Sequence, residues 1–192
     1  NAPPSQAAAS PMSRRTWFES EFGTAEAAPS GPEPAPELPE RVGERYAIEV
    51  LLGRGGMAAV YRARDLTSGR LVALKQLARG RAKDGSERAA SFEREYQLLA
   101  QLRHPRVIAV YDYGLDAAGP WYTMELLEGD DLRELSPLPW RRACALAYDV
   151  CSSLALLHSR RFVHRDVSPR NVHCDRDGSA KLLDFGALVP MG

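Results

Sequence analysis

The stretch His164-Arg-Asp-Val-Ser-Pro-Arg-Asn171 carries the most chemical information in this 192-residue sequence. The Asp166 carboxylate can accept a proton from an attacking hydroxyl group, and the side-chain oxygen of Asn171 can ligate a metal ion. Asp184-Phe-Gly186 follows 18 residues after Asp166 and supplies a second metal-ligating carboxylate. Each element alone could occur by chance, but the ordered set predicts a metal-dependent catalytic site.

A glycine-rich stretch, Leu52-Gly-Arg-Gly-Gly-Met-Ala-Ala-Val-Tyr61, lies upstream between two predicted strands. Gly53, Gly55 and Gly56 let backbone N–H groups approach phosphate oxygens because no Cβ stands in the way. A dinucleotide-binding loop would have to open a helix, whereas a strand follows here. The loop is therefore predicted to cap a hairpin, although taken alone it would also fit an ordinary turn.

One lysine stands in an otherwise apolar predicted strand, Val72-Ala-Leu-Lys75. A charge in such a strand is costly unless it is paired, and Glu95 on the next predicted helix is the natural partner. Lys75 is expected to contact nucleotide phosphates while Glu95 holds it in place. Glu95 alone would equally fit a solvated helix face.

Hydrophobic periodicity predicts five strands with one helix inserted among them. The helix is predicted over 88–102 and ends at His104-Pro105. A second helix is predicted from Trp140 to His158, followed by short strands around Val172 and Leu182 with a hairpin turn at 175–178. The five strands are predicted at Tyr46–Leu52, Val60–Arg64, Leu71–Leu77, Val107–Tyr113 and Trp121–Leu127, with a loop over Leu115–Pro120 between the last two.

These motifs, in this order, resemble the protein-kinase signature. The Leu-Gly-x-Gly-Gly-Met opening and the His-Pro-x-Val-x-x-Val-Tyr-Asp stretch at 104–112 are most similar to bacterial, eukaryotic-type serine/threonine kinases. The resemblance covers residues 44–190 and implies an α+β, two-lobed fold. It places a complete N-lobe, a five-stranded antiparallel sheet plus one helix, at 44–127, and a partial helical C-lobe at 128–192.

The resemblance also implies roles for individual residues. Lys75, paired with Glu95, would bind the α- and β-phosphates, Asp166 would be the catalytic base, and Asn171 and Asp184 would ligate Mg²⁺. The other implied ATP-binding residues are Leu52, Gly53, Gly55, Gly56, Val60, Ala73, the gatekeeper Met124, the hinge residues Glu125 and Leu127, the ribose contact Asp131, and His173 below the adenine ring. An internal stack is implied for Leu99, Val110, His164 and Phe185.

The sequence departs from the family pattern at several places. Ala58 stands where the third loop glycine is usual, and His173 stands where an aliphatic residue is usual. Ser168 replaces the lysine that serine/threonine kinases place two residues after the catalytic aspartate, which leaves serine/threonine versus tyrosine preference open. Only six residues follow Gly186, so the activation segment and the remaining C-lobe helices are expected to be missing from this chain.

Two principal functions follow from these observations. The first is an ATP- and Mg²⁺-dependent protein kinase that phosphorylates serine or threonine hydroxyls of protein substrates, itself included. The alternative is a nucleotide-binding, pseudokinase-like regulatory module without transfer activity, which the retained Lys75, Asp166, Asn171 and Asp184 disfavour. A third possibility, a scaffold that docks partners through Trp17–Phe22, rests on composition alone.

Composition limits the remaining function classes. Residues 1–43 hold 8 of the 14 prolines and predict a disordered, Pro/Ala-rich linker. Lys+Arg and Asp+Glu are both 25, and this balance argues against nucleic acid as a partner. No signal peptide or membrane-spanning segment is visible, and three sparse cysteines (Cys144, Cys151 and Cys174) predict neither disulfides nor a zinc site. A cytoplasmic location is therefore expected.

Overall fold

The computed structural model describes residues 38–55, 57–78 and 85–192. The first 37 residues of the predicted linker, with the Trp17–Phe22 motif, lie outside these ranges. Within the described residues the chain forms a large antiparallel sheet with one helix packed on it, followed by a second helix and several short strands.

The first part is a six-stranded antiparallel sheet rather than the five strands predicted. In spatial order β1, β2, β3, β4, β6, β5, its strands are Arg41–Val42, Tyr46–Arg54, Ala58–Asp65, Leu71–Leu77, Gly119–Met124 and Val110–Asp116. The additional strand, β1, pairs with the start of β2 at the sheet edge. It lies inside the segment predicted as linker, so the boundary at residue 43 was placed too late.

The hairpin between β5 and β6 is tighter than the predicted loop Leu115–Pro120. Both strands extend into that loop, and only Ala117 and Ala118 remain between them. Asp116 Oδ1 accepts the amides of Ala118 (2.8 Å) and Gly119 (3.2 Å), which closes the turn locally. Val107, predicted to begin this strand, instead forms an isolated parallel bridge with Leu182.

Helix α1, Gly85–Gln101, confirms the predicted helix and starts three residues before the predicted boundary. Its buried side chains are Phe92, Glu95 and Leu99, which recur at helical spacing and face the sheet. The Phe92 and Tyr122 rings lie 5.0 Å apart between centroids, so an aromatic contact joins α1 to β6.

The second part contains helix α2, Trp140–Ser159, whose predicted extent is confirmed to within one residue. Strands β9 (Val172–Asp175) and β10 (Ala180–Leu182) form the predicted hairpin, which closes where the Gly178 amide donates to the Asp175 carbonyl at 3.0 Å. The short strands are β7 (Gly129–Asp131), β8 (Phe162–Val163), β9 (Val172–Asp175), β10 (Ala180–Leu182) and β11 (Val189–Pro190). Strand β7 joins the hairpin in a three-stranded sheet, and β8 pairs with β11.

One buried apolar cluster runs through both parts of the molecule. Phe92, Met124, Leu157 and Phe185 all belong to it, so α1, the sheet, α2 and the segment after β10 share one core. No helix of the described ranges is long and apolar enough to cross a membrane.

Candidate active site

The structure brings Lys75 and Glu95 together as predicted. Lys75 is on β4 and Glu95 is on α1, and Lys75 Nζ lies 2.9 Å from Glu95 Oε1. Their side chains are only 12% and 9% exposed, so each charge depends on the other for compensation. Tyr122 on β6 donates its hydroxyl to the same carboxylate oxygen at 2.9 Å, a partner that the sequence analysis did not identify.

A cavity of about 720 Å³ opens beside this pair. It is lined from the first part of the chain by Lys75, Glu95 and Phe92, and from the second part by Asp184 and Gly186. The predicted phosphate-binding lysine and one predicted metal ligand therefore face the same space. This shared cavity is the strongest geometric support for a common site.

Asp184 occupies an unusual backbone conformation at the edge of the cavity. Its φ is +54°, in the left-handed region that a non-glycine residue rarely adopts, and its Oδ1 accepts the Gly186 amide at 3.2 Å. Phe185 next to it is buried and packs edge-on against His164, with ring centroids 5.1 Å apart. Phe185 and Leu99 share the buried core, and Val110 packs at its margin, in keeping with the predicted internal stack.

His164 connects the segments that carry Asp166 and Asp184 through its ring nitrogens. Nε2 lies 3.0 Å from the Leu183 carbonyl oxygen, and Nδ1 accepts the Asp166 amide at 3.3 Å. Burial lowers the pKa of His164, which favours a neutral ring. A neutral ring with its proton on Nε2 donates to Leu183 and accepts from Asp166, so both contacts are satisfied.

Asn171 donates two hydrogen bonds to Asp166, the predicted catalytic base. Its Nδ2 donates to the Asp166 carbonyl oxygen at 2.9 Å and to Asp166 Oδ2 at 3.0 Å. Asn171 is 1% exposed, whereas Asp166 is exposed and lines a second cavity of about 600 Å³ with Arg94 and Arg165. The Asp166 carboxylate is therefore held by Asn171 and remains accessible from the second cavity, as a proton acceptor must be.

The donor chemistry of Asn171 and Asp184 fits a magnesium ion. Both offer oxygen ligands, which Mg²⁺ prefers, and the Asn171 amide nitrogen is already engaged with Asp166. Among the described residues no group of three or more His, Cys, Asp or Glu side chains could hold a metal. Mg²⁺ bound through one or two protein ligands and substrate phosphates does not require such a group.

The residues predicted around adenine lie close together. Val60, Ala73, Met124 and Leu127 belong to one buried cluster, and Leu52 packs against its edge. Gly53 pairs with Val60 across the β2–β3 hairpin, and the Gly55 amide donates to the Ala58 carbonyl at 2.8 Å. The predicted hairpin is thus present, and Gly56 lies outside the described residues. The contacts of these residues with ATP stay predictions.

Glu125, which is predicted to lie in the hinge, has structural partners that the sequence analysis missed. Its amide donates to the Ala109 carbonyl at 2.9 Å, so this N–H is not available to adenine. Its carboxylate accepts the Ala109 amide at 2.8 Å and Lys181 Nζ at 2.6 Å. Lys181 stands in the apolar strand β10, and the same signal that identified Lys75 could have predicted that it needs an acidic partner.

Two residues predicted to contact the nucleotide are fully buried. Asp131 is one of them, and its Oδ1 accepts the Glu134 amide at 2.9 Å; its contact with ribose stays a prediction. His173 is also fully buried, opposite Asp131 in the β7–β9 pairing, and burial lowers its pKa. The His173 ring lines neither of the two cavities described above.

The sequence of this chain is similar to those of known proteins. The sequence model for the protein kinase domain matches residues 46–190. A probable serine/threonine-protein kinase of Streptomyces coelicolor is 42% identical over 165 residues, which cover 81% of this chain and 24% of that protein. The serine/threonine-protein kinase PknB of Mycolicibacterium smegmatis is 37% identical over 156 residues, 77% of this chain and 25% of PknB. The chain thus spans about a quarter of the length of these curated relatives.

Proposed function

The chain belongs to the protein kinase family, and from that premise we propose that the protein transfers the γ-phosphoryl group of ATP to serine or threonine hydroxyls of proteins. The observation that carries this proposal is the cavity shared by Lys75, Glu95 and Asp184. A buried, paired lysine and an acidic oxygen ligand facing one space suit a polyphosphate with its metal ion.

In this proposal each side chain has one task. Lys75, held by Glu95, contacts the phosphates and offsets part of their negative charge. Asp166, held by Asn171, orients the substrate hydroxyl and accepts its proton as the oxygen attacks the γ-phosphorus. The bond to the β-phosphate oxygen breaks in the same transfer, and ADP leaves.

Asn171 and Asp184 would hold Mg²⁺ in this site. When bound, the ion supplies charge neutralisation at the phosphate oxygens. The chain's own contribution is to orient its ligands: Asn171 through its bonds to Asp166, and Asp184 through its bond to the Gly186 amide.

The serine/threonine preference rests on the names of the relatives. Phosphorylation of the protein's own chain is part of the proposal, and so is a cytoplasmic location, where ATP is plentiful and the exposed thiols Cys144 and Cys151 would stay reduced.

A pseudokinase-like module is the second candidate, and Ser168 is the observation that favours it. Its Oγ is buried and makes no hydrogen bond within the described part of the chain. A short, buried hydroxyl cannot reach a γ-phosphate as the usual lysine would. The protein would then bind nucleotide without transferring phosphate.

An Asp166→Asn variant of the full-length protein separates the two candidates. We expect radiolabel transfer from ATP to fall by about 10²- to 10⁴-fold, because the proton acceptor is lost. Nucleotide affinity, measured by calorimetry with Mg-ATP, should stay within about twofold, because Asp166 does not line the cavity of Lys75. Transfer that is unchanged in the variant refutes the mechanism, and binding without transfer in the wild type supports the pseudokinase-like module.

A further inference from the structure

We propose that Tyr122 is a positioning residue for the phosphate-binding lysine. Its hydroxyl fixes the Glu95 carboxylate, which in turn directs Lys75 into the cavity. This inference rests on the proposed phosphoryl-transfer function and adds a third member to the Lys75–Glu95 pair.

Tyr122 and Lys75 converge on one atom. Glu95 Oε1 accepts the Tyr122 hydroxyl and Lys75 Nζ, each at 2.9 Å. Lys75 and Tyr122 are direct cross-strand partners of β4 and β6, so their side chains leave the sheet on the same face. Lys75 Nζ also lies 5.8 Å from the Tyr122 ring centroid, within the range of a cation–π contact.

Two aromatic side chains of α1 pack against the Tyr122 ring. Its centroid lies 5.0 Å from that of Phe92 and 5.8 Å from that of Tyr96, both on α1. Tyr122 is 1% exposed. Because the ring is enclosed, the position of the hydroxyl is fixed by packing before any ligand binds.

This arrangement gives Glu95 a defined orientation. A flexible glutamate held only by a flexible lysine has several rotamers available, and each moves the ammonium group relative to the cavity. A second donor on a rigid ring removes that freedom. A hydrogen bond to a charged acceptor is also stronger than one between neutral groups.

The decisive variant is Tyr122→Phe in the full-length protein, which removes the hydroxyl and keeps the stacked ring. We expect kcat/KM for ATP to fall about tenfold, the size expected for a lost bond to a buried charge. Tyr96→Phe is the matched control, since Tyr96 belongs to the same aromatic group but donates its hydroxyl to the Tyr111 carbonyl. The kcat/KM of Tyr96→Phe for ATP should stay within about twofold of the wild-type value.

A double-mutant cycle distinguishes positioning from a general packing role. If Tyr122 acts through Glu95, Tyr122→Phe should change kcat/KM and the Kd of Mg-ATP by less than about twofold when Glu95 is already alanine. Glu95→Gln replaces the alanine variant if the latter does not fold. Thermal unfolding of every variant shows whether the fold is intact.

The outcomes are separable from those for the proposed function. An active wild type with an equally active Tyr122→Phe variant overturns this inference and leaves the kinase function standing. A full tenfold loss that persists in the Glu95→Ala background also overturns it, because the effect then does not pass through Glu95. A wild type that neither binds Mg-ATP nor transfers phosphate refutes both.

Discussion

The two halves of the candidate site hold their polar residues in different ways. Lys75 and Glu95 are 20 residues apart, come from a strand and a helix, and meet as a buried charge pair. Asp166 and Asn171 are five residues apart in one loop, and the asparagine bonds both the backbone and the side chain of the aspartate.

This difference separates long-range from local positioning. The Lys75–Glu95 pair can form only when α1 packs on the sheet, so its geometry depends on the position of the whole helix. The Asp166–Asn171 geometry is set mainly within its own loop, with Arg165 at a φ of +67° turning the chain. Breaking the first should therefore damage stability and activity together, whereas breaking the second should affect activity more than stability.

The largest expected effect follows replacement of Lys75 by methionine. The variant leaves the Glu95 charge buried without its cation, which costs about 3–5 kcal/mol of unfolding free energy. Phosphate transfer should fall below detection, because the cavity loses the cation that is proposed to contact the phosphates. Urea unfolding and radiolabel transfer measure the two losses.

The matched control is Arg62→Met in the same sheet. Arg62 pairs with Glu49 at 2.9 Å, but its side chain is 37% exposed. Arg62→Met is expected to change the free energy of unfolding by no more than about 1 kcal/mol. If Lys75→Met is no more destabilising than this control, the pair is not holding α1 to the sheet.

An intermediate effect is expected for Asn171→Ala. Transfer should fall about 10²-fold, because a displaced catalytic group is inefficient even when chemically intact. Stability should fall by about 1–3 kcal/mol, because the buried Asn171 side chain loses both of its hydrogen bonds to Asp166.

Arg170→Ala is the control for stability, since Arg170 is an exposed neighbour in the same turn. Thermal unfolding and steady-state kinetics are measured for both variants. A stability loss for Asn171→Ala as large as that for Lys75→Met would erase the contrast between the two halves.

The smallest expected effect is on the stability of the sheet at alkaline pH. Burial, helped by the bond from its hydroxyl to Asp112, raises the pKa of Tyr46 to about 12. Tyr46 therefore stays protonated to a higher pH in the folded state than in the unfolded chain. Its contribution to the free energy of unfolding is complete below about pH 10 and is lost as the pH rises towards about 12. Its full size is at most a few kcal/mol.

Tyr46→Phe should flatten this alkaline dependence, as measured by urea unfolding at about pH 8 and about pH 11. Tyr148→Phe is the control, because Tyr148 is 76% exposed on α2. An alkaline loss of stability that is unaltered in Tyr46→Phe would assign the effect to another group.

The sequence predicted those features that have a local signature. Hydrophobic alternation located strands β2, β3 and β4, helical spacing located α1 and α2, and turn chemistry located the β9–β10 hairpin. The pairing of Lys75 with Glu95 could also be predicted, because a lysine in an apolar strand requires a counter-charge.

Features without a local signature were missed. In the sequence Tyr122 has the pattern of an ordinary strand residue, and only the tertiary structure shows that its hydroxyl bonds Glu95. Nothing in the sequence around Asp131 indicates that its carboxylate is buried and accepts the Glu134 amide. Glu125 and Lys181 lie 56 residues apart, and nothing in either segment identifies the other as its partner.

The sequence alone determined the chemical inventory of this protein: a glycine-rich hairpin, a lysine that needs a partner, and acid and amide side chains spaced for proton and metal chemistry. The tertiary structure decided which of these groups face one cavity, which are buried, and which third group fixes the pair. Residue type and spacing set what a side chain can do, but burial and distance arise from contacts between segments far apart in the chain, and these set the electrostatics of a site.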